Sequence, residues 1–156
     1  MATTRTRPDW VKEHLERYVR TDGADGHEWR GVHTLLLTTT GRRSGKQTTT
    51  PLIYGADGDR YVVVASRGGA PTHPLWYENL TADPNVSVQV GAERFPAIAR
   101  TATHDQKPAL WATMTEIWPA YDDYQKKTAR EIPVVILERV PAEGAEEAVE
   151  DAPPLV

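Results

Sequence analysis

The chain has 156 residues, 39% of them hydrophobic and 26% charged, with a formal net charge of -4, a composition that fits one domain burying roughly 70% of its unfolded surface. The acidic balance argues against wholesale nucleic-acid binding, and the absence of cysteine excludes disulfides, thiolate metal sites and thiol nucleophiles. There is no apolar run of about 18 residues and the N-terminus is polar, so secretion and membrane spanning are disfavoured and the chain reads as cytoplasmic.

From Asp9 to Arg20, the residues Trp10, Val11, Leu15, Tyr18 and Val19 recur at helical spacing, opposite Lys12, Glu13, Glu16 and Arg17. This predicts an amphipathic helix packed over a sheet, with peripheral membrane contact or a substrate lid as the alternative role; the mixed charge of its polar face favours packing. After a Gly-rich loop from Asp22 to Gly26, the runs Val32 to Thr40 and Thr48 to Tyr54 read as two strands closing a tight basic turn. Ala56-Asp57-Gly58-Asp59 carries the signal of a second hairpin, which leads into a third strand, Tyr61 to Ser66. Its run Tyr61-Val62-Val63-Val64-Ala65 is apolar on both faces and requires cover on both.

Pro74 opens a short helix, Leu75 to Thr81, which Asp83-Pro84 ends. Val86 to Val90 and Arg94 to Thr101 form another hairpin, helices follow over Gln106 to Ile117 and Pro119 to Arg130, and a last strand runs from Pro133 to Glu138. Short strands joined by hairpins, with helices inserted late, indicate a β-barrel with flanking helices, α+β in class. The expected organisation is an N-terminal helix and loop over residues 1–30, a barrel domain over 31–140 and a solvated acidic tail over 141–156.

The basic turn is the first element able to carry chemistry. Between Thr40 and Gln47 it places Arg42, Arg43 and Lys46 with Ser44 and two glycines, which suits an anion held by charge, hydroxyl and backbone donors. From Arg30 to Arg67 six Lys and Arg face only Asp57 and Asp59, a local balance of +4. A nucleotide P-loop is excluded: only three residues separate Gly41 from Gly45, Gln47 follows Lys46, and the next segment favours a strand over a helix.

Ser66-Arg67-Gly68-Gly69-Ala70-Pro71 adds a second Gly-rich loop with a cation, followed by His73-Pro74-Leu75-Trp76-Tyr77-Glu78-Asn79-Leu80. Helix N-terminal donors, an aromatic pair and an amide suit a flat cofactor with a charged arm, although Trp76 and Tyr77 taken singly also fit core packing. His73 reads as a loop or capping residue, and the five histidines show no metal-ligand spacing, so no metal is assigned. A third stripe, Trp118, Tyr121 and Tyr124 with Gln125 and Thr128, mixes aromatics with hydrogen bonders as a pocket wall does.

Four ordered blocks between about Leu35 and Leu137 resemble the deazaflavin-dependent nitroreductases, a group of actinobacterial flavin/deazaflavin oxidoreductases. They are Thr-Thr-Gly-Arg-Arg-Ser-Gly-Lys with Thr-Pro-Leu; Val-Ala-Ser-Arg-Gly-Gly-Ala-Pro with His-Pro-Leu-Trp-Tyr-Glu-Asn-Leu; Asp-Pro with Val-Ser-Val-Gln-Val-Gly; and Tyr-Asp-Asp-Tyr-Gln with Ile-Pro-Val-Val. The resemblance implies a split β-barrel of the FMN-binding-barrel type and coenzyme F420, a deazaflavin carrying a phosphate and an oligoglutamate tail. It also implies that Arg42, Arg43, Ser44 and Lys46 hold the phosphate and tail, and that Pro51, Tyr54, Ser66, Arg67, Gly68, Ala70, Trp76 and Asn79 line the deazaflavin. Tyr121 and Tyr124 then face the substrate. Arg43 and Arg67 stand where the family often has lysine, and Gln47-Thr48 replaces a stretch that often holds another cation, which bears on tail-length preference.

The function so implied is an oxidoreductase passing a hydride from reduced F420 to a small electron-poor acceptor, a quinone, activated enone or nitro compound, with Tyr124 or water supplying the proton. The alternatives are a non-catalytic F420 carrier and an FMN-dependent oxidoreductase of the same fold. No nucleic acid is expected, and the chain is read as a monomer or homodimer.

Overall fold

The computed structural model describes residues 9–140, so the acidic tail expected over 141–156 lies outside the described residues. Eight strands form one antiparallel sheet: β1 (Glu28–Trp29), β2 (Val32–Thr40), β3 (Gln47–Ile53), β4 (Gly55–Asp57), β5 (Arg60–Val64), β6 (Asn85–Val90), β7 (Glu93–Thr101) and β8 (Val134–Arg139). The order is β1-β2-β6-β7-β8-β5-β4, with β3 paired to β2, and the sheet curls into a split β-barrel. Four helices flank it: α1 (Asp9–Arg20), α2 (Leu75–Ala82), α3 (Lys107–Ile117) and α4 (Ala120–Lys127).

Strand alternation divides the core in two. Leu35 and Leu37 of β2, Val63 of β5 and Val135 and Leu137 of β8 point into the barrel with Phe95, Leu80 and Trp76. Val62, Val64, Val134 and Ile136 point outward and are covered by Leu110 and Met114 of α3 and Tyr121 of α4. The doubly apolar run of β5 is thus buried on both faces, as its composition requires.

The β2–β3 register pairs Leu37 with Thr50 and Thr40 with Gln47, which holds the basic turn at the end of the hairpin. Inside it the Gly41 N–H donates to Lys46 O at 2.7 Å and the Gly45 N–H to Gly41 O at 2.9 Å. At the other end of the sheet α1 is anchored by Tyr18, whose hydroxyl donates to Thr34 O at 2.9 Å and accepts from the Gly91 N–H at 2.8 Å.

Three elements differ from the sequence expectation, one of them β4, a short strand paired with β5 where only a hairpin turn was expected. The last helix stops at Lys127 rather than Arg130, because Gln125 turns its side chain back onto the following segment. Its Nε2 donates to Arg130 O at 2.8 Å and its Oε1 accepts from the Ile132 N–H at 2.9 Å, leaving Thr128 extended at φ -133°. β1 was not expected, since two residues are too short to show a period. No described helix is long and apolar enough to cross a membrane.

Candidate active site

A cavity of about 670 Å³ opens between α1, β3, the loop after β5, the start of α2 and the α3–α4 corner. Pro51 of β3, Ser66, Arg67 and Gly68 of the loop, Trp76 of α2 and Tyr121 and Tyr124 of α4 all line it. Elements spread over some seventy positions of sequence therefore meet at one site. The wall also includes Trp10, Val11 and His14 of α1, for which packing was expected over a substrate lid, and Trp29 of β1, which sequence reasoning did not single out. Trp10 and Trp29 stack with ring centroids 5.8 Å apart and planes 8° apart, and Trp29 lies 5.7 Å from Trp118. Trp10 stays 52% exposed at an apolar helix position, so α1 packs on the sheet and walls the cavity at once.

The loop after β5 is a left-handed turn, with φ of 47° at Arg67, 63° at Gly68 and 83° at Gly69. For Arg67, a residue with a Cβ, that conformation costs about 1–2 kcal/mol. At Gly69 an added Cβ would come within 2.7 Å of Tyr124 O and 3.0 Å of Tyr124 Cα, so the turn and α4 touch backbone to backbone. The two walls that carry Gly68 and Tyr124 are registered by this contact.

Tyr121 is buried, 4% exposed, and its hydroxyl has no hydrogen-bond partner among the described residues. An unpaired buried hydroxyl costs about 1–3 kcal/mol, and a polar ligand atom in the cavity would relieve it. Burial first, and then the neighbouring Tyr124, push the Tyr121 phenol far above the ordinary tyrosine range, so it stays neutral. Tyr124, whose ring lies 6.0 Å from that of Tyr121, accepts a hydrogen bond from Trp118 Nε1 at 3.4 Å. The indole can only donate, so the Tyr124 hydroxyl keeps its own proton to give.

Arg42, Arg43, Ser44 and Lys46 are exposed and stand outside the cavity. Arg42 pairs with Glu78 at 3.0 Å, whereas Arg43 and Lys46 make no ion pair among the described residues, and Ser44 Oγ accepts the Lys46 N–H at 3.1 Å. Four strand residues, about 13 Å, run from Lys46 to the cavity wall at Thr50. Asn79 fixes the basic turn rather than lining the cavity: its Oδ1 accepts from the Arg42 N–H at 3.1 Å and its Nδ2 donates to Thr39 Oγ1 at 3.2 Å. Since Asn79 sits one helical turn beyond Trp76 on α2, it sets the distance between the cations and the cavity.

Ala70 and Tyr54 also lie outside the cavity. The Ala70 carbonyl accepts from Arg130 Nε at 2.8 Å. The Tyr54 ring packs edge-on to Tyr61, 5.4 Å away, and its hydroxyl bonds His27 Nε2 at 2.9 Å. His73 accepts at Nδ1 from Arg130 Nη1 at 3.0 Å, a loop-fixing role. Among the described residues no three His, Asp or Glu side chains gather as metal ligands would.

Comparison with known proteins bears on what such a cavity holds. The profile of the F420H2-dependent quinone reductases matches residues 10–139. An F420H2-dependent quinone reductase of Mycobacterium tuberculosis, Rv1261c, is 44% identical over 133 residues, covering 83% of this chain and 89% of that protein. A solved F420-H2 dependent reductase (FDR-A) is 43% identical with a TM-score of 0.63, over 67% of this chain and 93% of that one. A structure described as a domain-swapped dimer is 41% identical with a TM-score of 0.66, over 83% of this chain and 98% of that one.

Proposed function

The chain belongs to the F420H2-dependent quinone reductase family, and on that footing we propose that its aromatic cavity holds reduced F420 with a quinone against it. The protein is an F420-dependent oxidoreductase. The residues fit the cofactor: about 670 Å³ suits a flat three-ring system, and the cavity wall is mostly apolar. Lys46, about 13 Å along the strand from Thr50, and Arg43 in the same turn make no ion pair among the described residues and are within reach of an anionic arm.

When bound, the reduced deazaflavin supplies a hydride to the acceptor. Trp76 and the Arg67–Gly68 turn would form the wall that orients the ring, and Trp10, Trp29 and Trp118 supply an aromatic side of the same cavity. A quinone that gains a hydride needs one proton more to become the hydroquinone. Tyr124 holds that proton at its hydroxyl, steadied by the Trp118 N–H. Tyr121 acts as a neutral donor to a substrate oxygen, because burial keeps its proton on. The hydroxyl of this buried residue, without a hydrogen-bond partner among the described residues, is the observation that best supports a ligand oxygen beside α4.

Paired titrations with oxidised F420 and with FMN, followed by tryptophan fluorescence, test the cofactor site. Micromolar or tighter F420 binding with FMN much weaker is expected; the reverse order would move the protein to an FMN enzyme of the same barrel. Oxidation of bound reduced F420 by menadione tests the reaction, and Tyr124→Phe is expected to slow it about a hundredfold if proton transfer limits the rate. Binding without turnover of any quinone, enone or nitro compound would instead identify a carrier. A homodimer is the assembly we propose, on the strength of the swapped dimer among the similar structures; light scattering giving a monomer mass would overturn it.

A further inference from the structure

Arg130 lies just beyond α4, outside the cavity, and does not line it. Its guanidinium nevertheless gathers the whole loop that forms one cavity wall. Nε donates to Ala70 O at 2.8 Å, Nη2 to Ser66 O at 2.7 Å and Nη1 to Ala65 O at 3.3 Å, while Nη1 also meets His73 Nδ1 at 3.0 Å. These acceptors flank the left-handed turn at Arg67, Gly68 and Gly69 on both sides. A residue held at positive φ persists only where its surroundings over-determine it, and the bonds to Ser66 O and Ala70 O span the strained segment. A fixed planar fork of donors can do this; a lysine ammonium cannot reproduce the set.

We propose that Arg130 is a positioning residue of the reductase: from behind the loop it locks Ser66, Arg67 and Gly68 into the shape that accepts the deazaflavin. The proposal rests on the reading of the cavity as the F420 site. It also assigns a protonation state. Arginine only donates, so His73 must offer an unprotonated Nδ1 and carry its hydrogen on Nε2. Burial and then the Arg130 charge lower the His73 pKa, while Glu78 opposes them. Arg67 is the other cation acting on Arg130. His73 also lines a smaller cavity, about 300 Å³, shared with Tyr77, His104, Lys107 and Glu131, in which Lys107 and Glu131 pair at 3.2 Å. Protonating His73 removes one acceptor and sets a second cation against Arg130, so the lock should weaken as pH falls below the ordinary histidine range.

The test compares wild type, Arg130→Met, Arg130→Lys and Arg130→Ala. In Arg130→Met, Kd for oxidised F420 and KM for F420H2 are expected to rise about tenfold to a hundredfold, with kcat for menadione changed much less, since two or more charge-assisted bonds are lost from the wall and none from the proton donor. Arg130→Lys should recover part of the affinity, and millimolar guanidinium should restore binding to Arg130→Ala. Wild type should lose F420 affinity on acidification, and Arg130→Met should lack that limb; titrations of the ligand itself are common to all variants and cancel. Unchanged Kd and KM in Arg130→Met, or lowered thermal stability with binding intact, would overturn the proposal. Amide exchange at residues 66–70 without ligand is the independent readout, expected to quicken in Arg130→Met. If wild type bound no F420, the reading of the cavity would fall, and this exchange measurement would still decide whether Arg130 holds the loop.

Discussion

Replacing Gly69 by alanine tests whether the turn and α4 are locked together. Two penalties apply. Gly69 has φ 83°, which costs an alanine about 1–2 kcal/mol. The new methyl also meets Tyr124 O at 2.7 Å and Tyr124 Cα at 3.0 Å, and because these are backbone atoms of a helix neither can swing aside. Overpacking of that kind adds about 1–3 kcal/mol, so the sum is about 2–5 kcal/mol, or about 6–15 °C in Tm for a chain of this size. Gly68→Ala is the control: its φ is 63°, yet an added Cβ meets nothing within 4 Å, so it should lose only the backbone part. Thermal and urea unfolding of both ligand-free variants gives the difference, and menadione turnover reports whether α4 has carried Tyr124 off its position. If Gly69→Ala lies within about 0.5 kcal/mol of Gly68→Ala and keeps wild-type kcat, the backbone contact does not register the site.

Tyr121→Phe removes an unpaired buried hydroxyl, so neutral-pH stability should hold or rise by about 1 kcal/mol while KM for the quinone increases. Because the folded Tyr121 pKa is raised above the ordinary value of 10.0, its contribution is full below pH 10 and is lost as pH climbs higher; Tyr121→Phe should remove up to about 1.4 kcal/mol per pH unit from the alkaline slope of stability. An identical slope in the variant would refute the burial argument. Arg43→Ala and Lys46→Ala should each weaken F420 about tenfold and reduce the salt dependence, with no loss toward a deazaflavin lacking the anionic arm; equal losses for both ligands would place these cations elsewhere. Arg42→Ala should do less, since Glu78 already engages that guanidinium. Trp10→Ala removes an aromatic stack worth about 0.5–1.5 kcal/mol, and acceptor KM should rise more than the Kd for F420; the opposite order would assign α1 to the cofactor.

The hairpins were legible because strand periodicity and turn chemistry act over a few residues. Thr34 to Thr40 and Gln47 to Ile53 could pair only across the turn at Gly41 and Gly45, and the doubly apolar run at Tyr61 to Ala65 could only be a strand covered twice. The motif blocks likewise brought Pro51, Ser66, Arg67, Gly68, Trp76, Tyr121 and Tyr124 into one proposed site, and these do meet at the cavity. Ala70 and Asn79 belong to the same blocks, and Tyr54 follows the first of them, but all three turn elsewhere. A motif specifies residue type and order, whereas the face a side chain presents depends on the register and curl of the sheet beneath it.

The sequence by itself determined the order of most elements and a barrel with flanking helices, since propensity and alternation are local properties of the chain, and its ordered motifs carried the resemblance that implied the split barrel and F420. Only the tertiary structure decided what closes the site. Trp10, Trp29 and Trp118 come together because Tyr18 ties α1 to Thr34 and Gly91 across the sheet. Arg130 reaches back 57 to 65 positions to hold the segment from Ala65 to His73. Partners that distant leave no period or spacing in sequence, because their meeting is fixed by how the whole sheet curls.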